Sequence, residues 1–385
     1  MDAAKMLRPL PVGMAAAVIL IVGMGFGRFA FTGLYPLMVD ERMLTISGGS
    51  WAAAANYAGY LLGALALMKL QARHSAAAGV AALAGTVLCM ALLAWVETLW
   101  AIVLIRGVAG VLSAVAMVAG SLWLLQYMGR HLSAPALYAG VGLGIFLSAE
   151  LIAAGAAAGL SSGAIWLGLA VAALLLSVCS AWVLWCSRMY QPPVATASAP
   201  APVSLAMNQP WQLAAIYGLA GLGYIITATY LPVLVGQALG GAGPLHIWAV
   251  FGLGAAPSCF LWHRLNVCLG VRWSLLLNLL VQGVGVILPA LSHSAWAYLG
   301  SAVLVGGTFM GTVTIAMPAA RLLNERVGFN MLAVMTAVYG VGQIAGPVVA
   351  DSIFKYSGSF AGSLVFAALA LWLAAVLCVP KFGNR

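Results

Sequence analysis

Residues 11–37 read PVGMAAAVILIVGMGFGRFAFTGLYPL, an apolar run of 27 positions with one charge, Arg28, set among Gly23, Gly25, Gly27 and Gly33 and followed by Pro36. The hydrocarbon core of a bilayer takes about 20 apolar residues in a helix, and this run exceeds that. It is too long for the apolar core of a cleaved signal, so it is expected to stay as a first membrane span behind Lys5 and Arg8.

The pattern then recurs. Of 385 residues, 64% are hydrophobic and 6% charged, where a soluble domain carries roughly a quarter charged residues. The mean hydropathy of +1.08 is spread over further apolar segments at Gly48–Leu70, Ser75–Val96, Leu99–Tyr127, Ser133–Ala158 and Gly163–Trp185. A second set runs Pro210–Val235, Leu245–Leu265, Trp273–Leu291, Ala295–Ala319, Met331–Ile353 and Phe360–Pro380. A soluble fold is excluded. Between the sets, Gln191–Asn208 is rich in Pro, Ala and Ser without apolar period, which marks a linker. The expected fold is an all-α membrane protein of twelve transmembrane helices in two six-helix bundles, residues 1–190 and 209–385, joined by a cytoplasmic linker at 191–208.

Two internal repeats relate the sets. Gly25-x-Gly27-Arg28 followed by Pro36 matches Gly221-x-Gly223-Tyr224 followed by Pro232 at an offset of 196. Tyr138-Ala-Gly140-Val-Gly142 matches Tyr339-Gly340-Val-Gly342, with the shared Gly-Val-Gly at an offset of 200. The bundles should therefore be pseudo-symmetric, with a site at their interface near the midplane. The glycines have two readings, as small residues that let helices approach closely or as bending points.

Positive charge is unevenly shared. With the N-terminus inside, the inner segments hold Lys5, Arg8, Lys69, Arg73, Arg130, Arg188, Arg264, Arg272, Arg321, Arg326, Lys381 and Arg385, and the outer segments hold Arg42 and Lys355. This bias predicts cytoplasmic termini. It also explains the net charge of +9 without nucleic acid as a partner. The six cysteines show no C-x-x-C spacing, which argues against disulfides and zinc.

Three ionisable residues fall deep inside spans: Arg28, Arg106 and Glu150. Each costs roughly 2.5–3.5 kcal/mol at a helix centre unless it meets a partner or water. Counted from the span centres, all three lie roughly 6–11 Å outward of the midplane, so one layer is able to hold them. Arginine stays protonated, so the trio carries +1 with Glu150 ionised and +2 with it protonated. An anionic substrate is expected to supply the missing charge on Arg28 and Arg106, with Glu150 exchanging a proton for it. The alternative is that one arginine pairs permanently with Glu150 while the other caps helix carbonyls or reaches outward. Thr32, Asn56, Tyr60, Tyr224, Thr308 and Gln343 are further candidate wall residues, each with an alternative as an interhelical hydrogen bond. No nucleophile motif, phosphate loop or metal spacing is present, so neither an enzyme nor a cofactor is expected.

Twelve spans, the repeat and Arg106-x-x-x-Gly110 resemble the major facilitator superfamily. The blocks Gly27-Arg28-Phe29-Ala30-Phe31-Thr32, Asn56-Tyr57-Ala58-Gly59-Tyr60-Leu61-Leu62-Gly63, Tyr138-Ala139-Gly140-Val141-Gly142-Leu143-Gly144, Gly306-Gly307-Thr308-Phe309-Met310-Gly311 and Gln343-Ile344-Ala345-Gly346-Pro347 are similar to its bacterial YbfB/YjiJ-type branch. The resemblance implies a secondary transporter of the bacterial inner membrane, working by alternating access with spans 1, 4, 7 and 10 around the cavity. Two departures stand out. The usual Asp of the loop between spans 2 and 3 is Leu67 here, and no proline follows the glycines of span 5. The expected activity is proton-coupled movement of a small organic solute, an anion or zwitterion, by a monomer in the bilayer. The alternative is proton-antiport efflux of drugs or lipophilic compounds.

Overall fold

The computed structural model describes residues 9–130, 133–187, 209–239, 243–324, 327 and 331–379. The Gln191–Asn208 linker, Lys5, Arg8, Arg188, Arg326, Lys381 and Arg385 lie outside the described residues. Within them every regular element is helical. Lipid offers no hydrogen bonds, so a spanning segment must satisfy its own backbone, and a helix does so residue by residue.

The first span is one continuous rod. Helix α1 (Pro9–Leu20) passes into a π-helical segment (Ile21–Phe29) and then α2 (Ala30–Asp40). Gly23, Gly25 and Gly27 all fall in that π segment. Next come α3 (Ile46–Ala66), α4 (Ser75–Leu93), α5 (Leu99–Ser121) with a π-helical end at Leu122–Tyr127, α6 (Ala134–Ala157) and α7 (Ser162–Ser187). The second set comprises α8 (Pro210–Leu239), α9 (Gly243–Leu291), α10 (Ala295–Asn324), α11 (Met331–Ser357) and α12 (Ala361–Cys378).

Among the described residues ten helices are long and apolar enough to cross a membrane, which makes this a multi-pass membrane protein. Two elements differ from the expected outline. Spans 8 and 9 are joined in the 49-residue α9, which turns at Gly270, where φ is 75° and ψ is 169°. Only glycine adopts that backbone without strain, so the turn needs no separate loop. Helix α3 has 21 residues but falls outside the ten, because Gly48, Gly49, Ser50, Asn56, Gly59 and Gly63 dilute its apolar character. It begins at an N-cap, where Thr45 Oγ1 accepts from the Gly48 amide at 3.0 Å, and it ends at Ala66, short of the expected Leu70.

The two sets of helices meet along a seam where α6 packs on α9 and α3 on α11. A Cβ on Gly142 would collide with the Ala256 backbone nitrogen, so α6 and α9 touch backbone to backbone. At the distal end of the rod, hydroxyls close the α3 side of the seam. Ser47 Oγ donates to Asp351 Oδ1 (2.8 Å), Ser50 Oγ meets the Tyr230 hydroxyl (2.6 Å), and the Tyr57 hydroxyl meets Thr229 Oγ1 (3.0 Å). At the proximal end, where α1 begins, a groove of about 880 Å³ separates α1 and α6 from α9, lined by apolar residues such as Met14, Leu143, Pro257 and Phe260.

Candidate substrate site

Arg28 is the penultimate residue of the π segment and is 2% exposed. Its guanidinium carbon lies 4.3 Å from the Tyr60 ring centre, 4.9 Å from Tyr57 and 5.4 Å from Phe29. Tyr57 and Tyr60 are three residues apart on α3, so one helix face presents both rings. Aromatic faces attract the cation but leave its N–H groups unused. Among the described residues Nε and Nη2 are buried without a hydrogen-bond partner, and no carboxylate pairs with the guanidinium.

Arg106 is equally buried but differently employed. Nη1 donates to the Gly27 carbonyl at 2.9 Å and Nη2 to the Arg28 carbonyl at 3.0 Å, while its guanidinium carbon sits 4.5 Å from the Phe31 ring centre. π-Helical geometry departs from the regular α ladder, and Arg106 takes up the carbonyls at its end. The neighbouring residues place it there. Asn56 Nδ2 donates to the Arg106 carbonyl at 2.9 Å, and a Cβ on Gly110 would collide with the Asn56 carbonyl oxygen. The Arg-x-x-x-Gly spacing thus gives α5 one turn that reaches the first span and one that lets α3 touch it.

Across the seam stand Tyr224 and Gln343, each 2% exposed. Gln343 Nε2 donates to the Tyr224 hydroxyl at 2.5 Å, and Gln343 Oε1 has no partner among the described residues. Tyr339 stacks on Tyr224 at 5.8 Å and on Tyr217 at 4.3 Å. Phe309 stacks on Tyr224 at 5.4 Å and meets Phe29, the neighbour of Arg28, edge-on at 6.0 Å. Thr32 is buried one turn beyond Arg28. The Thr308 hydroxyl turns to its own helix, donating to the Leu304 carbonyl at 2.6 Å. The Thr308 carbonyl accepts from Asn278 Nδ2 at 2.9 Å, tying α10 to α9.

The structure does not bring Glu150 to the arginines. Its Oε1 lies 3.2 Å from His246 Nδ1, with the two side chains 41% and 58% exposed, so the pair bridges α6 and α9 on the outside of the seam. Of the expected residues, Arg28 meets Tyr60 and Gln343 meets Tyr224, and Phe29 and Phe309 link the two pairs. Asn56 and Arg106 brace them from behind. Sequence reasoning passed over Tyr57, Tyr339 and Asp351. Tyr57 is adjacent to Asn56 and in step with Tyr60, Tyr339 heads the second Gly-Val-Gly copy, and Asp351 lies four residues before Lys355, with which it pairs at 2.7 Å.

A family model described as the uncharacterised MFS-type transporter YbfB matches residues 20–379. The chain belongs to this transporter family. No curated protein matches its sequence. Among solved structures, the crystal structure of a point mutant of the nucleoside transporter NupG is similar over 95% of this chain and 98% of that one, with 12% identity and a TM-score of 0.65. At that identity the likeness shows a shared fold. Membership makes this chain a membrane transporter of the MFS type.

Proposed function

We propose that the protein is a secondary active transporter that moves a small organic anion or zwitterion by alternating access, coupled to protons, with Arg28 holding the substrate. The single observation that carries this reading is the buried guanidinium of Arg28, with two free donors and no carboxylate among the described residues. An isolated buried charge is unfavourable unless something pairs with it, and a substrate anion does so. Tyr60, Tyr224, Gln343 and Thr32 complete the wall in this scheme, while Asn56, Arg106 and Thr308 contribute through the helices they join.

In the same proposal the chain forms twelve spans. The ten long apolar helices give eleven when α9 is divided at Gly270, and α3 is the twelfth. The spans make two pseudo-symmetric six-helix bundles, residues 1–190 and 209–385, that rock about the seam. Supporting this, α6 packs on both α1 and α9, and α11, its counterpart in the repeat, packs on both α8 and α3. Glu150 carries the proton. Its partner His246 belongs to the other bundle, so opening the seam separates the pair and leaves the half-exposed carboxylate free to take up a proton. A monomer in the bacterial inner membrane with both termini cytoplasmic fits the loop charges.

Export of lipophilic compounds is a second reading, and the apolar proximal groove favours it. The two are separated by a thermal-shift screen of the purified protein against organic anions, zwitterions and lipophilic cations at mildly acidic and neutral pH. A ligand at about a hundred times its Kd stabilises the folded state by about 2.7 kcal/mol. Stabilisation by anions, stronger in acid and absent in Arg28→Ala, is the expected result. Stabilisation by cations alone supports export and makes Arg28 a structural residue. Glu150→Gln in proteoliposomes should still exchange substrate but fail to concentrate it under a pH gradient, and retained accumulation removes Glu150 from coupling.

A further inference from the structure

Counting the unspent groups around Arg28 narrows the substrate class, an inference that rests on the transport reading above. Arg106 has both terminal nitrogens on backbone carbonyls. Of these two buried guanidinium groups, Arg28 alone keeps a free terminal nitrogen beside the seam, Nη2, together with its Nε. These two atoms share one edge of the guanidinium plane, and that edge forms parallel hydrogen bonds to the two oxygens of a carboxylate. The acids that span the seam are already engaged, Glu150 with His246 and Asp351 with Lys355 and Ser47. Asp40, Glu41 and Glu97 lie at or beyond helix ends. Among the described residues Arg106 is a second protonated guanidinium without an acid, but it keeps only Nε free, so of the two groups Arg28 alone offers a paired N–H edge.

That count discriminates between anions. One carboxylate fills that edge. A second carboxylate would be buried with no paired donor edge to receive it, and an ammonium group on the ligand would lie beside two guanidinium cations with no acid to hold it; both arrangements are unfavourable away from water. On the opposite wall Gln343 spends Nε2 on Tyr224 and leaves Oε1 as a buried acceptor without a donor. The rings of Phe29, Tyr57, Tyr60, Tyr224 and Tyr339 make the surroundings apolar and aromatic. We propose that the site takes a monocarboxylate with an apolar body and one neutral hydrogen-bond donor, its carboxylate on the Nε and Nη2 edge of Arg28 and its hydroxyl or amide N–H on Gln343 Oε1.

A set of ligands matched in size tests this by thermal shift on the full-length protein in detergent: para-hydroxybenzoate, benzoate, para-hydroxybenzamide, terephthalate, tyramine and tyrosine. para-Hydroxybenzoate is expected to bind most tightly and benzoate about tenfold more weakly, the loss of one hydrogen bond to a buried acceptor. The neutral amide, the dianion, the cation and the zwitterion are each expected to bind at least about a hundredfold more weakly. In Gln343→Leu the affinities for para-hydroxybenzoate and benzoate should converge. Terephthalate or tyrosine binding as tightly as para-hydroxybenzoate overturns the single-carboxylate inference and leaves the anion site standing. Equal binding of benzoate and para-hydroxybenzoate to the unmodified protein overturns the role of Gln343. Stabilisation by tyramine alone, or by no carboxylate, overturns the Arg28 transport reading itself.

Discussion

Two arginines of the same burial differ in what their nitrogens hold. Arg106 supplies two charged hydrogen bonds to the carbonyls that end the π segment, and such bonds are worth about 1.5–3 kcal/mol each. Arg106→Ala should therefore destabilise the protein by about 3 kcal/mol or more, read as a drop in unliganded Tm. Arg28 leaves two donors unmatched, so Arg28→Met should leave the unliganded Tm unchanged or raised while removing anion binding. A fall in Tm as large as that of Arg106→Ala would show Arg28 to be structural. The sequence picked out both residues by the cost of a charge in lipid, a property of the residue alone. Which one is spent on backbone was not legible, because that depends on the π segment at Ile21–Phe29, and the glycines there disrupt a regular apolar period without stating what replaces it. Glu150 was misplaced for a related reason. Counting along a span gives depth, but not the side of the helix that faces a neighbour.

At the scale of elements, apolar length located the helices well and failed where backbone contact replaces apolar side chains. Helix α3 carries Gly59 and Gly63 where it lies against the α5 backbone, and Gly340 of α11 admits Leu61 of α3. Span length alone therefore undervalues it. The same closeness makes α3 and α11 a place to test motion. Ser47 and Asp351 meet at 2.8 Å across the seam, so the double variant Ser47→Cys with Asp351→Cys should form a disulfide on oxidation. In the proposed cycle that bond arrests transport and reduction restores it. Crosslinked protein that still transports at the normal rate would mean that α3 and α11 do not part.

For the whole molecule, the repeat offset of 200 pairs α6 with α11, and each of these helices packs across the seam. Contacts along the seam, including the backbone approach at Gly142, should keep residues 1–190 and 209–385 together when they are produced as separate chains. Copurification of the two from mild detergent checks this, and isolated halves would contradict a continuous seam. The α3 side of that seam is fastened by hydroxyl pairs, Ser50 with Tyr230 and Tyr57 with Thr229. Hydroxyl bonds of this kind exchange for bonds to water at a net of only about 0.5–1.5 kcal/mol each. Parting the two sides is thus a hydration step, in which water takes the place of the opposite hydroxyl. Osmolytes excluded from protein surfaces favour the less hydrated form. Water activity outside the membrane accordingly enters the balance between closed and open forms, and the osmotic state of the surroundings becomes an input to the rate of transport.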